Sequence, residues 1–363
     1  MPKALITGIT GQDGFYLTKY LLNRGYEVHG IRRRTSLSNA WRLRRLKKTT
    51  KLVLHYGDMT DLSSLIQVMQ KVQPDEVYNL AAQAHVQCSF TCPESTGDVN
   101  GLGALRVFEA VRLSCPDARI FHASSSEMFG DIGVTLANEK TPFNPVSPYG
   151  CAKLYAHNMA IAYRKMYGMF ICTGIMFNHE SPLRGEDFVT RKITRAVSRI
   201  FCNLQNVLYL GNLHAVRDWG HAADFVRAQH LMMTSESPKD YILATGITHN
   251  VRTLCYVAFK RVGICISWEG SGEDEKGIIR RLDTNRPFLS HLKEGDVVVR
   301  VDPQYLRPAE IGFLHGDATQ AKHQLGWEPE TTFMELVNEM VDTDVLLSSR
   351  EKNGYKETVY NAV

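Results

Sequence analysis

The feature that most restricts the fold is a regular alternation of short apolar runs and amphipathic stretches along residues 3–176. The pattern predicts strands at 3–7, 26–31, 52–56, 76–80, 119–123 and 169–176, and helices at 12–24, 61–72, 100–113 and 148–167. Nearly continuous apolar strands separated by helices are typical of a parallel sheet covered on both faces. We therefore predict an α/β fold with a doubly wound parallel sheet.

The regular alternation of strand and helix patterns ends after residue 178, where the predicted loops are longer. We predict a first domain over residues 1–178, to which later segments return, and a smaller mixed α/β domain over residues 179–345. The charged stretch Gly270–Arg286 is expected to be a mobile insertion, and residues 346–363 a polar tail.

Composition narrows the class of protein. Among 363 residues, 42 Lys and Arg face 38 Asp and Glu, and this small excess does not indicate a nucleic-acid partner. The 8 cysteines are scattered without a C-x-x-C pair, which argues against a metal site or a disulfide framework. No apolar run approaches the roughly 20 residues of a membrane helix. We expect a cytoplasmic protein without a membrane partner.

A glycine-rich turn joins the first predicted strand to the first helix. Gly8, Gly11 and Gly14 have the G-x-x-G-x-x-G spacing, with Thr10, Gln12 and Asp13 between them. Glycines at such a turn let a dinucleotide pyrophosphate approach the backbone and the helix N-terminus. The turn therefore predicts a dinucleotide site, although a glycine pattern by itself also fits a purely structural turn.

The exit of the second strand indicates which dinucleotide is bound. NAD sites usually place an acid there, whereas NADP sites place arginine. Here Arg33 and Ser36 lie in a basic stretch, with no acid between Glu27 and Asp58. The stretch favours NADP, and a solvated basic loop is the alternative.

Tyr149 and Lys153 have the Y-x-x-x-K spacing on a predicted helix. Residues four apart share one helix face, so the ammonium of Lys153 can lie beside the phenol. A nearby cation favours the ionised phenol, which is the form that can accept a proton. The pair predicts a general base for an alcohol substrate.

Ser125 and Glu127 follow the fifth predicted strand. Ligands bind at the carboxyl ends of parallel strands, so both side chains are expected in the cleft. A carboxylate there can remove a proton from carbon next to a ketone, a step that allows water to be eliminated.

With these residues the chain resembles the extended short-chain dehydrogenase/reductase superfamily and, within it, the GDP-mannose 4,6-dehydratase family. The resemblance covers about residues 3–345. It rests on Gly8–Gly14, His55–Asp58, Tyr78–Gln83, Ser147–Lys153, Phe177–Pro182, Phe188–Lys192, Arg217–His221, Ala244–Gly246 and Arg307–Glu310.

The resemblance implies a redox-neutral cycle. NADP removes hydride from C4 of the mannosyl ring while Tyr149 takes the O4 proton. Glu127 then takes the C5 proton, water leaves from C6, and hydride returns to C6. Ser125, where the family commonly has Thr, hydrogen-bonds O4, and Lys153 orients the ribose.

The resemblance also implies binding residues. Besides the glycine turn, Arg33, Ser36, Tyr149 and Lys153, the cofactor positions are Asp58, Met59, Leu80, Ala82, Gln83, Ala84, His179 and Arg184. The GDP-sugar positions are Asn178, Lys192, Arg217, Arg252, Arg307 and Glu310.

Other activities remain open at this point. A relative acting on GDP-manno-heptose shares the catalytic set, and a nucleotide-sugar epimerase or reductase is a further alternative. Glu127 argues against the latter, because those reactions need no C5 base. A catalytically silent NADP-binding regulator is disfavoured by the complete catalytic set.

The segment Arg32–Lys51 holds nine Lys or Arg and no acid. Such a run is costly unless phosphates or acids face it, and a solvated loop is the alternative. The resemblance implies that this loop reaches a neighbouring subunit's cofactor, with Arg42 making the contact. We therefore predict a homo-oligomer, a tetramer rather than a dimer. Trp41 departs from the family's small residues there.

Overall fold

The computed structural model describes residues 1–36, 39–46, 51–133, 135–283, 285 and 287–354. The strands are β1 (Lys3–Thr7), β2 (Glu27–Arg32), β3 (Leu52–Tyr56), β4 (Glu76–Asn79), β5 (Arg119–Ser125), β6 (Leu136–Ala137), β7 (Ile171–Met176), β8 (Asn178–Glu180), β9 (Leu208–Leu210), β10 (Val216–His221), β11 (Asp240–Leu243), β12 (Thr248–Asn250), β13 (Ile264–Glu269), β14 (Lys276–Leu282), β15 (Val297–Val301) and β16 (His315–Gly316).

The helices are α1 (Gln12–Asn23), α2 (Leu62–Val72), α3 (Val86–Thr91), α4 (Pro93–Gly97), α5 (Gly103–Ser114), α6 (Pro148–Tyr167), α7 (Val189–Phe201), α8 (Ala222–Met233), α9 (Val251–Arg261), α10 (Thr319–Leu325) and α11 (Phe333–Lys352). Among the described residues, none of these helices is both long and apolar enough to cross a bilayer.

The first compact unit contains residues 1–179, 220–246 and 314–330. Its sheet has seven parallel strands in the order β11-β7-β5-β4-β1-β2-β3, which confirms the doubly wound α/β fold. The two later segments supply β11 at one edge of the sheet, α8 against α1, and α10 against β11.

The second unit contains residues 180–219, 247–313 and 331–363. Its mixed sheet has the order β13-β14-β15-β9, in which β9 runs parallel to β15 and the other pairs are antiparallel. Helices α7, α9 and α11 pack on one another and contribute to an apolar core that includes Ile193, Phe259 and Met340.

The expectation of a mobile insertion at Gly270–Arg286 is wrong for residues 275–282. Glu275 is buried, and Lys276–Leu282 forms β14 between β13 and β15. Ile278 and Ile279 are buried, but the charges around them mask this short apolar signal in the sequence. At the other end, α11 continues to Lys352, and residues 355–363 of the expected tail lie outside the described residues.

A row of polar side chains crosses the first unit's sheet in register. Thr7, Asn79, His122, Thr173 and Asp240 are direct neighbours on five adjacent strands. Thr7 Oγ1 donates to Asn79 Oδ1 at 2.8 Å, and Thr173 Oγ1 donates to Asp240 Oδ1 at 2.7 Å. Hydrogen bonds of this kind let polar groups remain inside an otherwise apolar sheet layer.

Candidate active site

The glycine turn between β1 and α1 is closely packed. Gly8 has φ +70°, and a Cβ there would lie 2.8 Å from the backbone nitrogen of Ala81. A Cβ at Gly14 would lie 2.5 Å from the Cα of Ile9, so only glycine lets α1 approach β1. Gly11 is the N-cap of α1 and offers no side chain over the first turn. This geometry fits a pyrophosphate at the helix N-terminus.

Three predicted cofactor residues meet beside this turn. His179 Nε2 lies 2.7 Å from Asp13 Oδ2, and its Nδ1 lies 2.7 Å from the Phe177 carbonyl oxygen. Gln12 Nε2 donates to the His179 carbonyl at 3.0 Å, and the His179 ring stacks on Phe225 with centroids 4.7 Å apart. The His179 ring is therefore held in one orientation.

The loops after β3 and β4 carry the predicted positions Asp58, Met59, Leu80, Ala82, Gln83 and Ala84. Asp58 Oδ1 accepts from the Thr60 amide at 3.0 Å, and Met59 is buried. The Leu80 amide donates to Thr7 Oγ1 at 3.1 Å. Both loops follow the carboxyl ends of parallel strands, where ligands of such sheets bind.

Asn100 is a supporting residue that the sequence did not reveal. Its Oδ1 accepts from the Gln83 amide at 2.8 Å, and its Nδ2 donates to the Gln83 carbonyl at 2.9 Å. Asn100 lies in a π-helical turn at Asp98–Leu102, a widened turn that is frequent at functional sites. No spacing in the sequence marks such a turn.

The basic residues at the end of β2 and after it make different contacts. Arg33 and Ser36 are exposed, while Arg32 Nη2 donates to the Tyr56 hydroxyl at 2.9 Å. Arg42 stacks on Trp41 at 4.2 Å, and its Nη1 donates to the Thr10 carbonyl of the same chain's glycine turn at 3.0 Å. Residues 37, 38 and 47–50 of the basic segment lie outside the described residues.

Ser125 and Glu127 lie where β5 ends. Ser125 is buried, and its Oγ accepts from the Glu127 amide at 3.2 Å, which caps the 3₁₀ turn Ser126–Met128. Glu127 is half-buried and lies in this turn, directly beyond the carboxyl end of β5.

Tyr149 and Lys153 lie in the first turns of α6. Ser147 is the N-cap of this helix, because its Oγ accepts from the Gly150 amide at 3.0 Å, and Pro148 follows it. The Lys153 ammonium lies 5.8 Å from the centre of the Tyr149 ring and donates to the Ala123 carbonyl at 2.8 Å. Burial lowers the pKa of Lys153 to about 8, against the opposing effect of Asp13.

Gly150 is a second residue that sequence reasoning missed. A Cβ there would lie 2.7 Å from the Glu127 carbonyl oxygen and 2.9 Å from Pro145 Cβ. The glycine therefore allows the start of α6, with Tyr149, to pack directly against the turn that carries Glu127.

In the second unit, three of the predicted sugar-nucleotide residues come together. Arg217 Nη2 lies 3.1 Å from Glu310 Oε1, and Arg307 Nη1 lies 3.8 Å from the same oxygen. Arg252 instead forms an ion pair with a different acid, Glu275.

The remaining predicted residues have other neighbours. Lys192 lies over the Tyr305 ring at 3.1 Å, and burial lowers the pKa of Lys192 to about 8, against the opposing charge of Asp302. Arg184 pairs with Glu180 at 3.0 Å and stacks on Phe188 at 3.7 Å. Asn178 begins β8 and is half-buried.

The sheet order, the glycine turn and the Tyr-Lys helix define a Rossmann-type protein of the extended short-chain dehydrogenase/reductase superfamily. Solved structures share this fold. A dTDP-glucose 4,6-dehydratase from Streptomyces venezuelae aligns with TM-score 0.78 and 21% identity over 98% of this chain and 99% of its own. A UDP-glucose 4-epimerase from Thermus thermophilus aligns with TM-score 0.76 and 22% identity over 94% and 98%.

The comparison of sequences is more specific. The model of the family "GDP-mannose 4,6 dehydratase" matches residues 5–340. A GDP-mannose 4,6-dehydratase from Vibrio cholerae is 48% identical over 96% of this chain and 95% of its own length. The enzyme of that name from Homo sapiens is 46% identical over 96% and 93%. This chain belongs to the GDP-mannose 4,6-dehydratase family, a family of hydro-lyases.

Proposed function

We propose that this protein converts GDP-mannose to GDP-4-keto-6-deoxy-mannose with NADP as its cofactor, for deoxysugar biosynthesis such as that of GDP-fucose or GDP-rhamnose. The proposal rests on one observation above all. The helix carrying Tyr149 and Lys153 packs against the turn carrying Ser125 and Glu127, at the carboxyl edge of the sheet. This packing supports a function that uses a base for an alcohol, Tyr149, and a base for a carbon acid, Glu127, on the same substrate.

The residues of the first unit fit a nicotinamide dinucleotide. The close-packed glycine turn leaves the N-terminus of α1 to the pyrophosphate, and the exposed Arg33 and Ser36 suit a 2′-phosphate. When bound, the nicotinamide supplies a hydride acceptor for C4 and a hydride donor for C6.

The protein's own side chains handle the protons. Tyr149 accepts the O4 proton, Ser125 hydrogen-bonds O4, and Lys153 stabilises the ionised phenol. Glu127 takes the C5 proton that the C4 ketone makes acidic and passes it to the C6 hydroxyl, which leaves as water. When hydride returns to C6, Tyr149 gives the proton that it took from O4 to C5, so the phenol is ionised again at the end of the cycle.

Cations of the second unit suit the GDP moiety. Arg217, Arg252 and Arg307 are planar donors that match diphosphate oxygens, and Lys192 supplies a point charge. Glu310 fixes two of these arginines and, with Asn178, is assigned to the nucleotide sugar.

The decisive experiment incubates the purified protein with GDP-mannose and, separately, with GDP-manno-heptose, followed by mass spectrometry. We expect a GDP-mannose product lighter by one water, and no such product from Tyr149→Phe. Dehydration of the heptose substrate alone would move the assignment to that sugar. A product of unchanged mass would indicate an epimerase and contradict the proposal.

We further propose a cytoplasmic homo-oligomer, a tetramer rather than a dimer, in which Arg42 lies near a neighbour's cofactor. Light scattering at micromolar concentration tests the assembly. A fully active 41 kDa monomer would contradict it.

A further inference from the structure

Glu275 is a buried carboxylate that joins two side chains of the second unit. It is 2% exposed, and its Oε1 accepts from Nε and Nη2 of Arg252. Its Oε2 lies 2.9 Å from His214 Nε2. Both oxygens are therefore engaged, as a buried carboxylate requires.

The pairing leaves part of Arg252 accessible. Nε and Nη2 share one carboxylate oxygen, so the Nη1 side of the guanidinium points away from Glu275. One guanidinium face lies 5.3 Å from the centre of the Trp268 ring, and the Arg252 side chain is still 31% exposed. An outside ligand can reach this guanidinium while the carboxylate holds it.

Not every buried ion pair of this unit has that property. Arg191 and Asp344 approach to 2.7 Å, but their side chains are only 1% and 0% exposed, which closes the pair to ligands. The pair Arg217–Glu310 has the opposite arrangement to Arg252–Glu275, because the arginine side chain is only 8% exposed and the glutamate side chain is 25% exposed.

We propose that Glu275 is a positioning residue that orients Arg252 toward the diphosphate of the nucleotide sugar. The inference rests on the function proposed above. A long arginine side chain loses rotamer freedom when it binds an anion, and a preformed carboxylate contact removes part of that loss before the substrate arrives. Glu275 acts through Arg252 and does not touch the diphosphate.

The test compares Glu275→Gln with Glu273→Gln, which makes the same change at an exposed acid two residues away. For each variant we measure KM and kcat with GDP-mannose, Kd for GDP by calorimetry, bound NADP(H), and the melting temperature. Glu275→Gln should raise KM and the GDP Kd about tenfold or more, the scale of one charge-assisted hydrogen bond. We expect kcat to stay within about threefold and the NADP(H) content to stay unchanged, and Glu273→Gln should resemble the wild type.

A second variant guards against loss of folding. Glu275→Asp keeps the charge but withdraws it by one methylene, and it should raise the GDP Kd less than Glu275→Gln. In a protein that already carries Arg252→Lys, Glu275→Gln should raise the GDP Kd by less than about twofold, because the guanidinium that Glu275 orients is no longer there.

The outcomes separate this inference from the function on which it rests. A wild-type protein that binds GDP but does not dehydrate GDP-mannose overturns the proposed function. The effect of Glu275→Gln on the GDP Kd then still tests whether Glu275 orients Arg252. A dehydratase whose folded Glu275→Gln variant binds GDP normally overturns the inference. The inference is also overturned if Glu275→Gln lowers kcat and the content of bound NADP(H) as much as it raises KM, because that pattern indicates general structural damage.

Discussion

Lys153 holds a charge that its surroundings oppose. It is 5% exposed, and burial lowers its pKa to about 8, while the Ala123 carbonyl and Asp13 favour the charged form. A buried cation interacts strongly with a neighbouring phenolate, because the local dielectric constant is low.

We expect Lys153→Ala to move the pH–rate profile of kcat/KM to higher pH. Without the cation, ionised Tyr149 loses its main neighbour of opposite charge and forms only in more alkaline solution. Steady-state kinetics from pH 6 to pH 10 measure the shift. Lys165→Ala, an exposed change on the same helix, serves as the control. An unmoved profile in folded Lys153→Ala contradicts the role.

Glu127→Gln should lower kcat by about 10²–10⁴, the usual contribution of a general base. The amide keeps the shape of the side chain but cannot accept the C5 proton, so the bound cofactor should still be reduced. Stopped-flow absorbance of NADPH together with product analysis separates the two steps. Glu94→Gln, at an exposed glutamate, is the control. Turnover within a few-fold of the wild type would exclude Glu127 as the base.

At the scale of elements, the contact between α6 and the turn after β5 depends on Gly150. We expect Gly150→Ala to destabilise the fold by about 1–3 kcal/mol, the usual cost of overpacking, and to lower kcat, because the new Cβ meets the Glu127 carbonyl at 2.7 Å. Urea unfolding and steady-state kinetics measure both effects.

The matched control for that change is Gly97→Ala on α4. A Cβ at Gly97 meets no heavy atom within 4 Å among the described residues, so this helical position should tolerate alanine. Equal stability of the two variants would show that the α6 contact is not tight.

The elements differ in how well the sequence predicts them. The glycine turn at Gly8 and the start of α6 at Pro148 are local, because the chemistry of a few adjacent residues determines them, and the sequence predicts both. Glu275 and Asn100 act through partners far along the chain, and no spacing records those partners. The error at β14 has the same origin, because its short apolar centre is recognisable only beside β13 and β15.

At the scale of the molecule, buried histidines make stability depend on pH. His230 is 8% exposed, with its Nδ1 3.4 Å from the Tyr78 hydroxyl, and burial together with Arg24 lowers its pKa to about 4. Burial also lowers the pKa values of His122 and His157. These histidines therefore bind protons more readily in the unfolded chain than in the folded one. For His230 this holds between about pH 4 and pH 6.5, so its contribution to stability is lost as the pH falls through this window.

We expect the melting temperature to drop on acidification from pH 7.5 to pH 5, and to drop less in His230→Gln, which has no group to protonate there. Differential scanning calorimetry at both values measures the change. His323→Gln, the same substitution at an exposed histidine, should keep the wild-type drop. An equal drop in all three proteins contradicts the assignment to His230.

The first unit is assembled from three separate stretches of chain, and this has a consequence for synthesis on the ribosome. Residues 1–179 supply six of the seven strands, but until residues 240–243 emerge, β7 is an open sheet edge able to pair with another chain. Helix α10 arrives later still, at residues 319–325. The nascent chain thus carries an unfinished sheet through much of its translation, a period in which a chaperone that shields strand edges would limit aggregation.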